Sequence, residues 1–202
     1  CVPLITLIQK EYDNVAEIKL RPLPPLEGAV YSGTNISLSE IVDLQLTSFA
    51  VPHGGERPFT KTLEEIFGLT RPSMTQATAN DQTYALPLTL DQVLVAHADT
   101  VPLPDTGGAA YLTDQTGNWC VVEMEGADAR AALERICPID LHPDAFGLHS
   151  VARTAMEHMA VIIMRVDTDR FLLLSASSSA ASFWHALVTS IKNVSEPRPQ
   201  IA

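Results

Sequence analysis

Apolar residues recur at helical spacing in three stretches of the chain. In the first stretch Phe59, Leu63, Ile66 and Phe67 fall at i, i+4, i+7 and i+8, and Gly68 follows directly. This spacing predicts an amphipathic helix that ends at the glycine. Two further helices are predicted in the same way, and their apolar stripes are Ala129, Ala132, Leu133, Ile136 and Cys137, and then Ala180, Trp184, Leu187, Val188 and Ile191.

Strand-like segments occupy much of the remaining chain. Residues 36–51 predict one strand, and residues 84–96 predict a strand pair or one bent strand that breaks at Pro87. Two hairpins are predicted: residues 109–113 with 118–125, and residues 160–166 with 170–175. Residues 71–83 are predicted to form a loop and residues 150–159 a helix.

The predicted order strand, strand, helix appears twice in the second half of the chain. Strand clusters with interspersed helices, without a regular βαβ alternation, indicate an α+β fold with a mostly antiparallel sheet. We therefore predict one α+β domain over residues 31–195, followed by a short tail at 196–202.

Residues 1–30 predict an extended N-terminal arm. The run Leu-Arg-Pro-Leu-Pro-Pro-Leu at 20–26 contains too many prolines for a helix interior or a central strand. The arm is also rich in leucine, isoleucine and valine, which a lone domain would leave poorly covered. It is therefore expected to wrap its own domain or to lie across a partner protein.

Composition and charge narrow the classes of function. The 24 acidic residues against 13 basic ones give a formal net charge of −11, so nucleic acid and anionic membranes would be repelled. The three cysteines, Cys1, Cys120 and Cys137, form no C-x-x-C pair and are read as reduced thiols. The opening apolar run lacks the features of a signal peptide and is too short to span a membrane, so a cytoplasmic protein is expected.

The search for chemistry begins with phosphate loops and histidines. Neither G-x-G-x-x-G nor G-x-x-x-x-G-K-[ST] occurs. His149 and His158 would lie on opposite faces of the predicted helix, so they cannot share a metal there. His142, two residues after Asp140, is read as a loop residue without a metal or catalytic role.

The serines, cysteines and arginines also have structural interpretations. Ser175–Ser179 lacks a nucleophile motif, and its serines are expected to cap the last helix. Cys120 and Cys137 fit small apolar core positions. Arg153 and Arg165 flank an apolar run and are candidates for ion-pair anchors. No catalytic, cofactor-binding or metal-binding residue is therefore predicted in this chain.

Three segments, in order, resemble the gamma subunits of heterotetrameric sarcosine oxidases. Residues 88–95, Leu-Thr-Leu-Asp-Gln-Val-Leu-Val, resemble that family's L-G-P-D-Q/E-W-L strand, with Val93 in place of the tryptophan. Residues 122–143 resemble the family's run from L-x-G-x-D-A-R to C-P-L-D-L-H-P, and the string Cys-Pro-Ile-Asp-Leu-His-Pro at 137–143 is the most specific. The third segment runs from Val-Ala-Arg-Thr at 151–154 to Ser178 and the Trp184 helix.

This resemblance implies a fold and a function. The gamma subunit is similar in fold to the folate-binding domain of aminomethyltransferases, with which it shares the Gly-Ala-Asp-Ala element at 126–129. The family's role implies a non-catalytic subunit of a complex that oxidatively demethylates sarcosine or a related N-methyl amine. Its partners would be the alpha, beta and delta subunits, which would carry FAD, FMN, NAD, zinc and the tetrahydrofolate site.

Two alternatives from other classes remain at this point. One is a stand-alone folate-binding protein of the aminomethyltransferase type, although residues 157–164 lack the glycine and aspartate of that family's catalytic segment. The other is a protein-binding module unrelated to the oxidases.

Overall fold

The computed structural model describes residues 23–81, 83–98 and 105–195. Within these residues two antiparallel sheets stack face to face, and helices cover the outer face of each sheet. The layers therefore run helix, sheet, sheet, helix. The predicted α+β class with antiparallel sheets is confirmed.

The strands divide between the sheets as follows. The six-stranded sheet has the order β1 (Val30–Ser32), β2 (Ser37–Glu40), β8 (Trp119–Glu125), β11 (Arg170–Ala176), β10 (Met159–Asp167), β9 (Val151–Met156) among the described residues. The five-stranded sheet, counted over the same residues, has the order β4 (Thr78–Asn80), β5 (Thr83–Thr89), β6 (Gln92–Ala98), β3 (Leu44–Ala50), β7 (Tyr111–Asp114). The helices are α1 (Glu56–Phe67), α2 (Ala129–Glu134) and α3 (Ala180–Ser195), and short 3-10 turns span Thr116–Asn118 and Ser177–Ser179.

The six-stranded sheet is buried on both faces. In β10, Val161 and Ile163 pack in the cluster formed with α2 and α3, whereas Ile162 and Met164 pack in the cluster between the sheets. Successive side chains of a strand point to opposite faces, so both sets must be apolar here. This explains why residues 161–164 form an unbroken apolar run and not an alternating pattern.

Helix α1 covers the outer face of the five-stranded sheet, as its spacing predicts. Phe59, Leu63 and Phe67 are buried against this sheet, and the ring centroids of Phe59 and Phe67 each lie 6.0 Å from that of Phe49. Gly68 ends the helix in the left-handed conformation, with φ of 64°. The predicted helix and its stop signal are both confirmed.

Helices α2 and α3 pack together on the other outer face. The hydroxyl of Ser190 in α3 donates to the Ala132 carbonyl of α2 at 2.6 Å. Just before α2, Gly126 has φ of 131°, and a Cβ on it would lie 2.1 Å from the Asn35 carbonyl oxygen. Only glycine fits there, because any side chain would collide with this backbone.

The predicted hairpin of residues 109–113 with 118–125 is wrong. Strand β7 pairs with β3 in the five-stranded sheet, whereas β8 pairs with β2 and β11 in the six-stranded sheet. The 3-10 turn at Thr116–Asn118 leads from one sheet to the other. The strand, strand, helix unit therefore occurs as predicted only for β10, β11 and α3, where the second predicted hairpin is confirmed.

The predicted helix at 150–159 is also wrong. Residues 151–156 form the edge strand β9, which pairs with β10 through a tight turn at Glu157 and His158. Both turn residues have positive φ, 45° and 70°, as a two-residue hairpin turn of type I′ requires. Pairing with β10 therefore outweighs the helix propensity of this alanine- and methionine-containing stretch.

Three further boundaries differ from the prediction. Residues 36–51 form two strands, β2 and β3, in different sheets, with 41–43 crossing between them. The predicted loop at 71–83 contains β4. Residues 84–96 lie in a strand pair, but Pro87 lies inside β5 at a shift in register, and the chain reverses at 90–91.

The predicted arm lies mostly outside the described residues. Of residues 1–30, the structure describes 23–30, which form a turn and the first residue of β1. The tail at 196–202 is outside the described residues as well, so both boundaries stay predictions. In the described part of the chain, the helices are too short or too polar to cross a bilayer.

Leu133 and Asp128 provide a test of the α2 packing. Leu133 is fully buried, so Leu133→Ala should lower stability by about 2–5 kcal/mol. Asp128 makes no capping bond and instead accepts from the Asn35 side-chain amide at 3.2 Å, so Asp128→Ala should cost under about 1 kcal/mol. Thermal unfolding of both variants measures the difference, and a larger loss for Asp128→Ala would contradict this account of the helix.

Candidate functional site

A buried glutamate fixes the chain just before β1. Glu40 is only 7% exposed, and its two carboxylate oxygens accept from the backbone N–H groups of Leu26 at 2.9 Å and Gly28 at 2.7 Å. Glu27 and Gly28 both have positive φ. The turn over residues 24–29 is thus held in one conformation by a charged side chain of β2.

Beside this turn the chain crosses between the two sheets at two places. Residues 41–43 lead from β2 to β3, and residues 115–118 lead from β7 to β8. The second crossing is bonded to Leu46 near the start of β3: Gln115 N–H donates to the Leu46 carbonyl at 2.7 Å, and Leu46 N–H donates to the Thr116 hydroxyl at 3.1 Å. These bonds fix the second crossing against the strand that follows the first.

A cleft of about 320 Å³ lies at these crossings, and we call it the crossover cleft. Its walls include Leu23 and Pro24 from the turn, Val42 and Asp43 from the first crossing, Asp114 beside the second, and Trp119. Leu23 is 77% exposed and Val42 47% exposed. The cleft therefore presents apolar side chains to solvent between rigid walls.

The charged residues of the crossover cleft are acidic. Besides the buried Glu40, they are Asp43 and Asp114, and no Lys, Arg or His of the described residues lines it. Asp114 accepts from the Thr116 N–H at 2.9 Å, and this hydrogen bond lowers the pKa of its carboxyl below the usual value. Asp114 is thus a carboxylate at neutral pH.

A second buried charge, Arg165, holds the loop after α2. It is 3% exposed, and its guanidinium donates to the carbonyls of Phe146 at 2.7 Å and Leu141 at 2.5 Å, and to that of Thr168. The group also lies 4.6 Å from the centre of the Phe171 ring. Burial lowers the pKa of the Arg165 guanidinium, although an arginine stays charged at any physiological pH.

The predicted ion-pair role of the two arginines is therefore not what the contacts show. Arg165 binds backbone carbonyls, and Arg153 donates to the Leu88 carbonyl at 2.7 Å. Leu141 and Phe146 lie in and just after the Cys-Pro-Ile-Asp-Leu-His-Pro string. Arg165 thus fixes the segment that carries the most specific part of the resemblance.

A small titratable cluster lies between the sheets at their edge. Glu123 and Arg170 are 3.7 Å apart, and they line a cleft of about 220 Å³ with Tyr84. Burial raises the pKa of Glu123 and of Tyr84, and the charge of Arg170 opposes both shifts. Glu123 and Arg170 thus form a partly exposed ion pair in the cleft between the sheets.

A further cleft, of about 580 Å³, lies between α2, α3 and the β9–β10 turn, and we call it the helix cleft. Its one carboxylate, Glu157, is exposed, and Arg135 and His185 are exposed as well. The buried member, Ser190, already donates to Ala132. These side chains do not form a group of acid, base and nucleophile in mutual contact.

The histidines weighed in the sequence lie in turns and loops. His149 and His158 have φ of 60° and 70°, so the predicted helix that separated them does not exist. His142 N–H donates to Asp140 at 2.9 Å within its loop. Over the described ranges, no group of three or more His, Cys, Asp or Glu side chains could hold a metal.

The cysteines and serines have the following environments. Cys120 and Cys137 are buried, as predicted, and burial raises the pKa of Cys120 to about 12. The Ser179 hydroxyl donates to the Ala176 carbonyl at 3.0 Å and lies 3.4 Å from that of Ser175. The Ser179 hydroxyl was predicted to accept from the N–H groups at the start of the last helix, but it donates to a carbonyl instead.

Sequence reasoning missed Glu40, although a signal was present. Ile36, Leu38 and Glu40 alternate, and all three are buried. A glutamate at an inward position of a strand must find donors, because an unpaired buried carboxylate is too costly. The crossover cleft had no comparable signal, since it depends on which sheet each strand joins.

The fold matches solved structures of a sarcosine oxidase chain and of an aminomethyltransferase. A chain of heterotetrameric sarcosine oxidase from Corynebacterium sp. U-96, in complex with pyrrole 2-carboxylate, matches with a TM-score of 0.74 at 23% identity, over 84% of this chain and 91% of that one. The aminomethyltransferase T of the glycine cleavage system from Bartonella henselae matches with a TM-score of 0.53 at 12% identity, over 76% and 45%. At these identities the likeness establishes the fold.

Sequence similarity points to one kind of subunit. No family model matches the chain. Curated relatives do: the sarcosine oxidase gamma subunits of Corynebacterium sp. strain U-96 (27% identical over 111 residues), Corynebacterium sp. strain P-1 (31% over 85) and an Arthrobacter species (26% over 91). The matches cover 52%, 42% and 45% of this chain and 54%, 42% and 45% of the relatives, so the chain spans about half their length. The resemblance to gamma subunits is confirmed.

The Glu40 clamp can be tested by Glu40→Gln. The amide offers one acceptor oxygen for two backbone donors, so stability should fall by about 1–3 kcal/mol. Hydrogen exchange of the Leu26 and Gly28 amides should become faster. Glu64→Gln on the exposed side of α1 is the control, and unchanged exchange at both amides would contradict the clamp.

The Glu123 environment predicts a pH dependence. Because burial raises its pKa, the folded chain binds this proton more tightly than the unfolded chain does, so its contribution to stability falls as pH rises above the ordinary value of 4.5. Unfolding of wild type and Glu123→Gln from about pH 4 to pH 7 should show the wild type losing stability relative to the variant. A relative gain would mean that attraction to Arg170 outweighs burial.

Proposed function

We propose that this chain is a non-catalytic assembly subunit, of the gamma type, in a heterotetrameric sarcosine oxidase-like complex that oxidatively demethylates sarcosine or a related N-methyl amine. The observation that carries the proposal is the joint match: three sarcosine oxidase gamma subunits in sequence, and a chain of a sarcosine oxidase heterotetramer in fold. The sequence comparison supports the gamma subunit, and the fold comparison supports the same kind of complex.

The use of the buried charges supports a structural role. Glu40 and Arg165 both bind backbone groups of this chain, one at the turn before β1 and one at the loop after α2. Catalytic groups usually face a cleft, have perturbed pKa values and keep hydrogen-bonding atoms free for the substrate. Here the charges hold surface segments in fixed shapes, which suits a subunit that presents surfaces to other chains.

The wider assembly follows from the resemblance. Its alpha, beta and delta subunits would carry FAD, FMN, NAD, zinc and tetrahydrofolate, and the complex would work in the cytoplasm. Nucleic acid and membranes are not proposed as partners, because a net charge of −11 repels polyanions. Within this chain we propose one domain over residues 31–195, an arm at 1–30 whose part before the turn held by Glu40 lies across a partner, and a tail at 196–202.

A stand-alone folate-binding enzyme is the alternative that the fold permits. Such an enzyme needs a polar cleft with a carboxylate placed for proton transfer. In the helix cleft, between α2, α3 and the β9–β10 turn, Glu157 is exposed at a hairpin turn, and the half-buried lining residues Ile136, Met159 and Ala186 are apolar. This arrangement favours the assembly subunit. If the chain were an unrelated binding module, its similarity to sarcosine oxidase chains in both sequence and fold would be unexplained.

The isolated full chain is expected to be colourless and to leave sarcosine and other N-methyl amines unoxidised. The described clefts hold no set of groups in contact that could drive the reaction. Absorption spectra and oxygen consumption of the purified chain measure this. A stoichiometric flavin, or turnover above a blank, would contradict the non-catalytic role.

Co-purification from the native cell tests the assembly role. A tagged full chain should recover two larger flavin-carrying chains and a small zinc-binding chain, identified by mass spectrometry, together with amine-oxidising activity. Recovery of the chain alone, or with unrelated proteins, would overturn the proposed function.

A further inference from the structure

The crossover cleft has more exposed apolar surface than its own chain uses. Leu23 and Val42 are 77% and 47% exposed, and they line the same cleft with Pro24. Single exposed apolar residues are ordinary, but grouped ones in a concave site indicate contact with another molecule. Leu90 and Tyr111, at 80% and 69%, lie outside this cleft and represent the ordinary case.

The cleft is also prepared for an occupant before it binds. Glu40 holds the turn that begins at Pro24, next to Leu23, and the bonds of Leu46 to Gln115 and Thr116 hold the second crossing against β3. Walls fixed in this way lose little conformational entropy when another chain docks. The apolar contact is then gained with little ordering cost on this side of the interface.

Charge specifies the occupant. Asp43 and Asp114 border the apolar walls, and no basic side chain of the described residues lines the cleft. Asp114 stays ionised because Thr116 donates to it. Long-range attraction would come from lysine or arginine, and the apolar anchor from an aliphatic side chain.

We propose that the crossover cleft is the docking surface for a partner subunit, which inserts a segment carrying an aliphatic side chain flanked by lysine or arginine. This inference rests on the proposed function and names the surface through which it is carried out. The partner probe is the pair of larger flavin-carrying chains recovered in the co-purification above.

The principal test compares two double variants of the full chain. Leu23→Ser with Val42→Ser should weaken capture of the purified partner at least tenfold, while its melting temperature stays close to that of the control. The matched control, Leu90→Ser with Tyr111→Ser, changes equally exposed apolar residues elsewhere and should retain capture.

Salt and a tryptophan signal test the chemistry of the occupant. Capture by wild type should weaken as salt rises, and Asp43→Asn should reduce this dependence. Trp184→Phe leaves Trp119 as the only tryptophan of the chain. Its emission should then shift when the partner binds, provided that the partner signal is subtracted.

The outcomes separate the two proposals. If the wild type recovers no flavin-carrying chain, the proposed function fails. If it does, but the cleft variant captures as well as the control, the docking surface is elsewhere and this inference fails. A cleft variant that loses both capture and thermal stability would show that the chain's own residues cover the cleft, which also overturns the inference.

Discussion

Burial of the six-stranded sheet on both faces is the constraint on which the rest of the molecule depends. Helices α2 and α3 lie on one face and the five-stranded sheet on the other, so nearly every side chain of β10 and β11 must be apolar. Arg165 is the buried charged residue of these strands, and its charge is tolerated because it donates to backbone carbonyls. The loop after α2 is consequently held in place by one buried cation, since moving its carbonyl acceptors away would leave that cation unpaired.

Local patterns predicted the elements whose partners are near in sequence. The stripe of Phe59, Leu63 and Phe67 determines α1, and the turn at 167–169 determines the β10–β11 hairpin, because each depends on a single face or a single turn. Residues 150–159 contain good helix formers, but β9 forms because β10 offers a free edge. The turn-like residues at 114–117 were read as a hairpin, whereas they connect two sheets. Sheet membership is a tertiary property that local pattern does not encode.

The candidate surface divides in the same way. The inward position of Glu40 can be read from the alternation of Ile36, Leu38 and Glu40, although its partners at Leu26 and Gly28 cannot. The crossover cleft joins residues from 23 to 121, and it exists only because two connections pass between the sheets at one place. The similarity to gamma subunits, in contrast, was visible in three sequence segments, since it needs no knowledge of which strands are neighbours.

The two crossings also determine the order in which the strands of the two sheets are synthesised. All strands of the five-stranded sheet lie between residues 44 and 114, whereas the six-stranded sheet combines residues 30–40 with residues 119–176. On the ribosome the five-stranded sheet can therefore be completed while β1 and β2 still lack their partner β8. Pairings so distant in sequence form slowly and leave strand edges open meanwhile. The nascent chain thus carries a finished five-stranded sheet with one apolar face still uncovered, and that face becomes the template on which the later strands assemble.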